Sequence, residues 1–386
     1  MIKILFFVLW LVNSHNSHRV HAIHIDNLEI ERQLQVINKP SLKSIQTEFG
    51  YIVDCIDIYK QSAFDHHLLK DHKLQKKPSF QNSYEKTSTK NSSNELIFGL
   101  QKEKCPKRTV PIRRTTKDDL IQEKSSFYNQ SMIQEASGVH MAEIYVTEIF
   151  GPFYQVKGTN SIYNPRVLKK NVNQESITHI WVQNGGTNKV AFGWHVAPQF
   201  HGRDTGTYVF SAWTSDNFKQ TGCYNLQCSG FVQINQDNFI GSRLSNTSVY
   251  GGRLIEIAIS ITMDRINKNW WLKVGEEYIG YYPAELFSNM ASADRVGWGG
   301  RTVTPPGLPS PQMGSGIFPD KNFYHAAYFR FISFQNEERK DFEPNKHMTK
   351  AFIDKSDCFN VEHYGDGGEG LGSCLQYGGP GGVCGD

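Results

Sequence analysis

Cys223 and Cys228 are five residues apart, and this spacing indicates disulfide chemistry more directly than any other in the chain. Thiols this close in sequence can be bridged only across a tight loop, because the two Cβ atoms must approach to about 4 Å. The residues that follow, Gly230–Ile234, alternate as a half-buried β-strand does. The spacing therefore predicts a local disulfide that holds a loop against a strand.

The beginning of the chain predicts export. Lys3 precedes an apolar run from Ile4 to Val12, and Val20-His21-Ala22 supplies a small residue at a cleavage point, so residues 1–22 have the layout of a signal peptide. The apolar run is about half of the ~20 residues that a membrane span needs, although a membrane anchor is the alternative interpretation. Seven cysteines fit an oxidising compartment. We therefore expect a secreted, extracellular protein with no membrane partner.

Composition excludes several other functions. The net charge is +3 and 20% of residues are charged, so neither nucleic acid nor an anionic membrane is implied as a partner. No glycine pattern of a nucleotide site and no Gly-x-Ser-x-Gly elbow occurs, so we predict no cofactor. His66, His67 and His72 lack the spacing of a zinc site, and we predict no metal. Glycosylation sequons begin at three asparagines: Asn91, Asn129 and Asn246.

Three regions follow the leader. Residues 28–120 are basic and mixed in pattern, residues 121–138 form a polar, Ser-rich connector, and residues 139–386 are dominated by strands. In the clearest strand, Leu254–Met263, isoleucines and a methionine alternate with less apolar residues, which predicts one dry face and one wetter face. Further predicted strands are Ile177–Gln183, Lys189–Val196, Thr207–Trp213, Gly230–Ile234, Trp270–Val274, Tyr278–Tyr282 and Ala326–Phe334. Many short strands without helical periods between them predict an antiparallel β-sandwich or barrel.

Blocks along most of the chain resemble one known family. Gly50–Gln61 with Ala63–His66, and later Cys105-Pro106 with Val110–Arg114, are similar to the start and end of the neprosin activation peptide. Further blocks in the family's order are Gly193-Trp194, Thr214-Ser215-Asp216, Cys223-Tyr224-Asn225, Asn269-Trp270-Trp271, Trp298-Gly299-Gly300, Gln312–Gly316 and Tyr377–Gly381. The chain is identified as similar to the neprosins, plant secreted proteins named for a glutamic endopeptidase that cuts beside proline.

The resemblance implies a fold and a set of disulfides. The expected protein is mainly β, with an antiparallel β-sandwich domain preceded by a small α+β pro-segment, and one sheet is expected to hold the substrate. The resemblance implies three pairs, Cys55 with Cys105, Cys223 with Cys228, and Cys358 with Cys384. Cys374 is then left over. We expect a monomer.

The resemblance also implies where acid chemistry should lie. A glutamic peptidase needs two carboxyl groups that face one water, one accepting its proton and the other, protonated, donating to the substrate. The family's first glutamate lies two residues before the Gly-Trp pair, where this chain has Ala191. Alanine can neither accept nor donate a proton. Lys189, Val190 and Phe192 supply no carboxyl group either.

The second glutamate of the family lies in the block around Trp298-Gly299-Gly300. Its two candidate positions hold Gly297 and Arg301 in this chain, so neither provides a carboxyl group. Arginine cannot act as a general acid, because its pKa exceeds about 12. It can bind an anion or a terminal carboxylate by a bidentate contact, or it can point to solvent at a strand end.

Other residues could replace the missing acids or line a groove. Substitute carboxylates are Glu256, Asp264, Glu276, Glu277 and Glu285, of which Glu256 is expected on the less apolar face of its strand. Aromatic residues that could stack on proline or sugar, or pack the core instead, are Trp194, Trp213, Trp270, Trp271 and Trp298. Core packing is the expected role for most of them.

The sequence thus predicts a neprosin-like protein whose hydrolytic pair is replaced, and which binds a peptide, a proline-rich protein or a wall polymer without cutting it. The alternative is an active acid prolyl endopeptidase made as a zymogen, with Glu256 or another acid as substitute. The sequence alone leaves open whether the chain is an enzyme. A decayed gene copy is a third possibility.

Overall fold

The computed structural model describes residues 28–80, 98–125, 137–168 and 172–385. The predicted signal peptide and the sequons at Asn91 and Asn129 lie outside these residues, whereas Asn246 lies in a half-buried loop segment within them. Within the described ranges, no helix has the length and apolar character that a membrane crossing requires.

The N-terminal unit is small and mixed, as predicted. Helix α1 covers residues 28–37, and strands β1 (Ser41–Gln46), β2 (Ile52–Asp57) and β3 (Thr109–Arg113) form an antiparallel sheet in the order β1-β2-β3. The Cys55–Cys105 disulfide, with an S–S distance of 2.09 Å, joins β2 to the segment before β3. Helix α2 (Lys117–Ser125) contains residue 121, where the sequence predicts that the connector begins.

The rest of the chain is an antiparallel sandwich, which confirms the predicted fold. Sheet 1 has the strand order β17-β4-β14-β6-β7-β8-β9. In chain order its strands are β4 (Val139–Val146), β6 (Glu175–Asn184), β7 (Asn188–Val196), β8 (Tyr208–Thr214), β9 (Cys223–Tyr224), β14 (Arg295–Val303) and β17 (Thr349–Ile353).

Sheet 2 has the order β10-β13-β12-β11-β5-β15-β19-β18, with β16 paired to β15. In chain order its strands are β5 (Gln155–Ser161), β10 (Val232–Gln233), β11 (Glu256–Met263), β12 (Trp270–Val274), β13 (Glu277–Tyr282), β15 (Ala327–Gln335), β16 (Asp341–Phe342), β18 (Asn360–Asp366) and β19 (Ser373–Gly378). The predicted strand Gly230–Ile234 is paired only at Val232 and Gln233.

Alternation along the strands places the core between the two sheets. On β11, Ile257, Ile259, Ile261 and Met263 are all in the main core cluster, as the sequence pattern predicts. Burying such side chains contributes about 1.5–3 kcal/mol each relative to exposure. A disulfide joins Cys223 to Cys228.

The end of the chain is held by a third disulfide, between Cys358 and Cys384. The three bonds are those that the family resemblance implies. Cys374 is a free, buried thiol, and burial raises its pKa to about 11. It is therefore a thiol rather than a reactive thiolate at neutral pH.

The N-terminal unit docks on the sandwich through side chains rather than by extending a sheet. Leu69 inserts into the main core cluster. The Gln61 amide donates to the carbonyl of Gln233 at 3.0 Å and accepts from its N–H at 2.8 Å, which satisfies the backbone of the edge strand β10. Ser79 donates from its N–H to the buried carboxylate of Asp264 at 2.6 Å.

Candidate functional site

The positions where the family resemblance implies glutamates, Ala191, Gly297 and Arg301, lie on the outer face of sheet 1, the face turned away from sheet 2. On β7, Val190, Phe192 and Trp194 point into the core between the sheets. Ala191 therefore points to the other side, where it joins a second apolar cluster. We call this side the site face.

Strand register decides which second position can work with Ala191. Ala191 pairs with Trp181 on β6, and Trp181 pairs with Gly297 on β14. Arg301 is level with Ile177 and His195, four residues further along the strands. Two strand spacings separate the backbones at Ala191 and Gly297 by about 10 Å, against about 16–17 Å for Ala191 and Arg301. Gly297 is thus the position from which a second side chain could meet one at residue 191.

The space between these two positions is filled by an indole ring. A Cβ atom added at Gly297 would lie 2.5 Å from two atoms of the Trp181 ring. The Lys189 ammonium lies 4.8 Å from the centre of the same ring. Burial lowers the pKa of Lys189 to about 7. Among the described residues, the row of residues from Tyr145 through Gly297 and Trp181 to Ala191 contains no carboxylate.

Arg301 is neither free to bind an anion nor turned to solvent, so both sequence-based interpretations of it are wrong. Its side chain has no exposed surface and pairs with Glu143 on β4, through Nε to Oε1 and through Nη2 to Oε2 at 3.2 Å. Glu143 Oε1 also meets His179 Nε2 at 2.8 Å, and its Oε2 accepts from Trp181 Nε1 at 2.9 Å. The carboxylate thus neutralises the charge of the arginine within a buried network.

Charge sets the protonation of this network. Burial by itself would raise the pKa of Glu143, but the charge of Arg301, and then the interaction with His179, which includes a hydrogen bond, holds that pKa well below its usual value. Burial lowers the pKa of His179 to about 4, so this imidazole is neutral at pH 7. Glu143 is therefore a fixed anion and not a proton donor.

A second carboxyl group on the site face, Glu175, was not predicted. It begins β6, is almost fully buried, and its Oε1 accepts from the amide of Gln199 at 2.7 Å. Its Oε2 has no hydrogen-bond partner among the described residues, and burial raises its pKa to about 8. Glu175 is four residues from His179 along β6, which places the backbone of Glu175 about 16–17 Å from the backbone of Glu143. These two carboxyl groups do not converge on one water.

A chain of buried aromatic and basic side chains joins the site face to the N-terminal unit. His195 Nδ1 hydrogen-bonds to Tyr224 Oη, and His195 Nε2 meets His201 Nε2 at 2.8 Å. His201 stacks on Tyr208 at 3.6 Å and contacts the guanidinium of Arg113 from β3. Burial lowers the pKa of His195 to about 3 and that of His201 well below its usual value.

The proposed substitute acids do not reach this face. Glu256 lies on β11 of sheet 2, on the less apolar face as predicted, and Arg330 binds it through two bonds of 2.6 and 2.7 Å. It is on the opposite sheet from Ala191 and does not replace an acid there. Asp264 accepts from Ser79. The other three are at the surface, Glu276 with Lys273, Glu285 with His72, and Glu277 at the start of β13.

The tryptophans are core residues, as expected for most of them. Trp194, Trp213, Trp270 and Trp298 all belong to the main core. Trp271 is also buried, in a cluster with Ala63 of the N-terminal unit. The tryptophan that does occupy the site face, Trp181, was not among those singled out. Its place in a continuous apolar strand with Ile180 and Val182 gave no signal of which face it uses.

The fold defines the class of protein: an antiparallel β-sandwich with a smaller N-terminal unit docked on it. Two family models match the sequence: Neprosin over residues 172–380 and Neprosin activation peptide over residues 44–144. The first spans more than half of the chain, and the chain belongs to the neprosin family. The second match ends inside β4, which pairs along its whole length with β14.

Solved structures to which the chain is similar include two peptidases and an agglutinin. Scytalido-glutamic peptidase with a transition state analog inhibitor is 9% identical, with 62% of this chain and 98% of that chain covered and a TM-score of 0.33. SCP-B, a member of the Eqolisin family of peptidases in a complex with the tripeptide Ala-Ile-His, is 9% identical, with 62% and 97% covered and a TM-score of 0.31. CG-16, a homodimeric agglutinin from chicken liver, is 14% identical, with 42% and 96% covered and a TM-score of 0.24.

Proposed function

We propose that this chain is a non-catalytic member of the neprosin family that binds a peptide, or a proline-rich protein, on the site face. The single observation that carries the proposal is the row formed by Ala191, Trp181 and Gly297. Ala191 and Gly297 have no ionisable group, and they flank the Trp181 indole at the place where two acids would need to share a water. The nearest carboxylate to this row, Glu143, is held as an anion by Arg301 and His179.

The chemistry of the face suits an apolar, proline-containing ligand. Ala191 and Ala212 lie on the central strands of this face, and aromatic side chains pack around them: Trp181, Phe210, Phe218 and Tyr224. Aromatic rings pack well against the flat apolar surface of a pyrrolidine. These side chains are buried in the full chain, so a ligand reaches them only when part of the chain moves off the face.

Peptide cleavage tests the proposal directly. The purified protein, as the full chain and after limited proteolysis before Val139, is incubated at about pH 3–5 with proline-containing peptides, and products are read by mass spectrometry. We expect no cleavage above a buffer control, while fluorescence anisotropy reports binding by the proteolysed form. Clean cleavage after proline would overturn the proposal.

Restoring the acids tests whether the scaffold is otherwise intact. The register indicates Ala191→Glu with Gly297→Glu, and Trp181 must be reduced in the same variant, for example Trp181→Gly, because its ring occupies the space of the second side chain. The backbone carbonyl oxygen of Ile144 would lie 2.7 Å from a Cβ atom at residue 297, so β4 must also shift, and circular dichroism checks that the variant keeps its fold. The matched control carries Trp181→Gly alone. We expect acid-dependent proline cleavage only in the triple variant. Activity in the control would contradict the assignment of residues 191 and 297.

Glu175 supports a second candidate function, an active acid endopeptidase made as a zymogen. Its carboxyl group is protonated at neutral pH and has one oxygen without a partner in the described part of the chain, which are properties of a general acid. If cleavage is found, Glu175→Gln distinguishes the two possibilities. Loss of activity would support the peptidase, and unchanged activity would exclude Glu175 from the reaction.

We also propose that the protein is exported as a disulfide-bonded glycoprotein that keeps its N-terminal unit unless another protease removes it, and that it acts as a monomer. Three disulfides and membership of the family support export. Expression in a eukaryotic host tests it. A protein that remains in the cells, or whose mass does not change on treatment with an endoglycosidase, would count against this part of the proposal.

A further inference from the structure

A groove crosses the outer face of sheet 2, on the side of the sandwich away from the site face. It runs over the strands β15, β5, β11, β12 and β13. Register places Ser333, Lys157, Ser260, Lys273 and Tyr278 side by side across these five strands. Four strand spacings make the row about 19 Å long. This is a long, shallow surface made of side chains.

One wall of the groove is an aromatic residue held in an unusual backbone conformation. Phe331 has φ 50° at a bulge in β15, where the register with β5 shifts between Arg330 and Ser333. A bulky residue with positive φ is a conformational outlier, and bulges re-aim side chains. Phe331 consequently exposes 40% of its surface beside the groove. Backbone strain of this kind is concentrated at binding sites.

The floor carries hydroxyl and amide groups. Thr159, Ser260 and Thr262 line it, and the Gln155 amide donates to Thr262 Oγ1 at 2.9 Å. The Gln155 Oε1 atom has no hydrogen-bond partner among the described residues. Tyr278 lies at the far end of the row from Phe331. The groove therefore combines a hydrogen-bonding floor with aromatic surface at both ends.

The charged groups at the rim are neutralised. Lys157 pairs with Asp341, and Lys273 pairs with Glu276 at 2.9 Å. The guanidinium of Arg330 beside Phe331 is bound by Glu256. A strongly anionic ligand would need unpaired cations, and these three are paired. An extended peptide that adds a strand would need free backbone groups, but β5, β11 and β12 are interior strands with a neighbour on each side.

We propose that this groove binds a neutral, unbranched glycan chain, with Phe331 stacked on the apolar face of one sugar ring and the hydroxyl and amide floor bonded to sugar hydroxyls. The proposal does not depend on the function of the site face, since the two surfaces lie on opposite sheets. It adds a second ligand class, a polysaccharide, to a protein whose first proposed ligand is a peptide.

The test is isothermal titration of the full chain with three hexasaccharides: a β-1,4-linked glucose hexamer, a β-1,4-linked mannose hexamer and a galacturonate hexamer. We expect at least one neutral hexamer to bind with a Kd of about 1 mM or tighter, a threshold for weak specific recognition. Binding should change little with salt. No binding by either neutral hexamer, or stronger binding of galacturonate, would overturn the proposal.

Variants locate the binding site. Phe331→Ala should weaken binding by roughly threefold to tenfold, as loss of one aromatic stacking contact does. Phe331→Trp keeps an aromatic surface and should retain binding, which separates stacking from folding. Tyr324→Ala is the matched control, because Tyr324 is an exposed aromatic residue outside the groove. Equal binding by Phe331→Ala and the wild type, or a loss in Tyr324→Ala, would refute the assignment of the groove.

Discussion

The buried ion pair between Glu143 and Arg301 gives the sharpest test of the site. In Glu143→Ala, the arginine remains fully buried without its carboxylate, and His179 and Trp181 each lose an acceptor. Removing one partner of a buried pair costs about 3–5 kcal/mol, because the remaining charge is left uncompensated. For a domain of this size we therefore expect Tm to fall by roughly 6–20 °C at pH 7.

The dependence on pH has a definite sign. The pKa of Glu143 is lowered in the folded chain, so its stabilising effect is complete above the ordinary pKa of a glutamate and is lost as pH falls through the folded value. The difference in Tm between wild type and Glu143→Ala should thus be largest near neutral pH and smaller in strong acid. Differential scanning calorimetry at several pH values measures it.

Two controls separate the ion pair from general damage. Glu276→Ala removes a carboxylate whose side chain is 94% exposed, and should change the free energy of unfolding by less than about 0.5 kcal/mol. The double variant Glu143→Leu with Arg301→Met replaces the pair by apolar groups, and should recover much of the lost stability. If Glu143→Ala unfolds within about 1 °C of wild type, the arginine is not neutralised as described, and an anion-binding role for Arg301 returns.

Two further predictions concern other buried groups. Glu175 has a pKa of about 8 in the folded chain, so its neutral form favours folding, and this contribution to stability is lost as pH rises from about 4.5 to 8. Glu175→Gln should therefore stabilise the chain more at pH 9 than at pH 5. Thermal unfolding at both pH values measures the difference. His195 and His201 have lowered pKa values, so the unfolded chain takes up their protons first and stability falls as pH decreases below about 6.5. His201→Phe keeps a ring that can stack on Tyr208, and it should reduce the slope of unfolding free energy against pH by up to about 1.4 kcal/mol per pH unit. An unchanged slope would show that His201 does not titrate on unfolding.

Local pattern was enough to predict much of sheet 2 and the central strands of sheet 1. The alternation from Leu254 to Met263 identified the core face of β11, and the run Lys189–Val196 identified β7, which carries Ala191. β14 was not predicted. It contains Gly297, Gly299 and Gly300, and glycine-rich sequence ordinarily indicates a turn. Neighbouring side chains occupy the space beside two of them, Trp181 at Gly297 and Met313 at Gly300. Gly299 has a φ of 150° and lies against the backbone of β4, where no side chain would fit.

The site itself depends on pairings that no local pattern contains. Glu143 and Arg301 are 158 residues apart in sequence, and they meet only because β4 and β14 are neighbours. The choice between Gly297 and Arg301 as the partner of Ala191 likewise requires the register of three strands. Glu175 gave no signal because its burial and its hydrogen bond to Gln199, 24 residues away, are set by tertiary structure. Sequence could thus single out Ala191, Gly297 and Arg301, but neither the side chains that surround them nor which of these residues face each other.

The carboxylate oxygens of Glu143 are satisfied within the central network, and this limits how the site face can recognise a ligand. The Nδ1 atom of His179 is buried and has no partner among the described residues. Glu143 accepts from Arg301, His179 and Trp181, which leaves little charge for an incoming peptide. Lys189 lies over the Trp181 ring, and its pKa of about 7 leaves it only partly charged at neutral pH. Arg295 lies over the Tyr145 ring at the other end of the row and is paired with Glu148. Recognition should therefore rest on shape and apolar contact. We expect the peptide affinity of the proteolysed protein to change less than about twofold between 50 and 500 mM salt, whereas a steep loss would indicate ion pairing that this network does not provide.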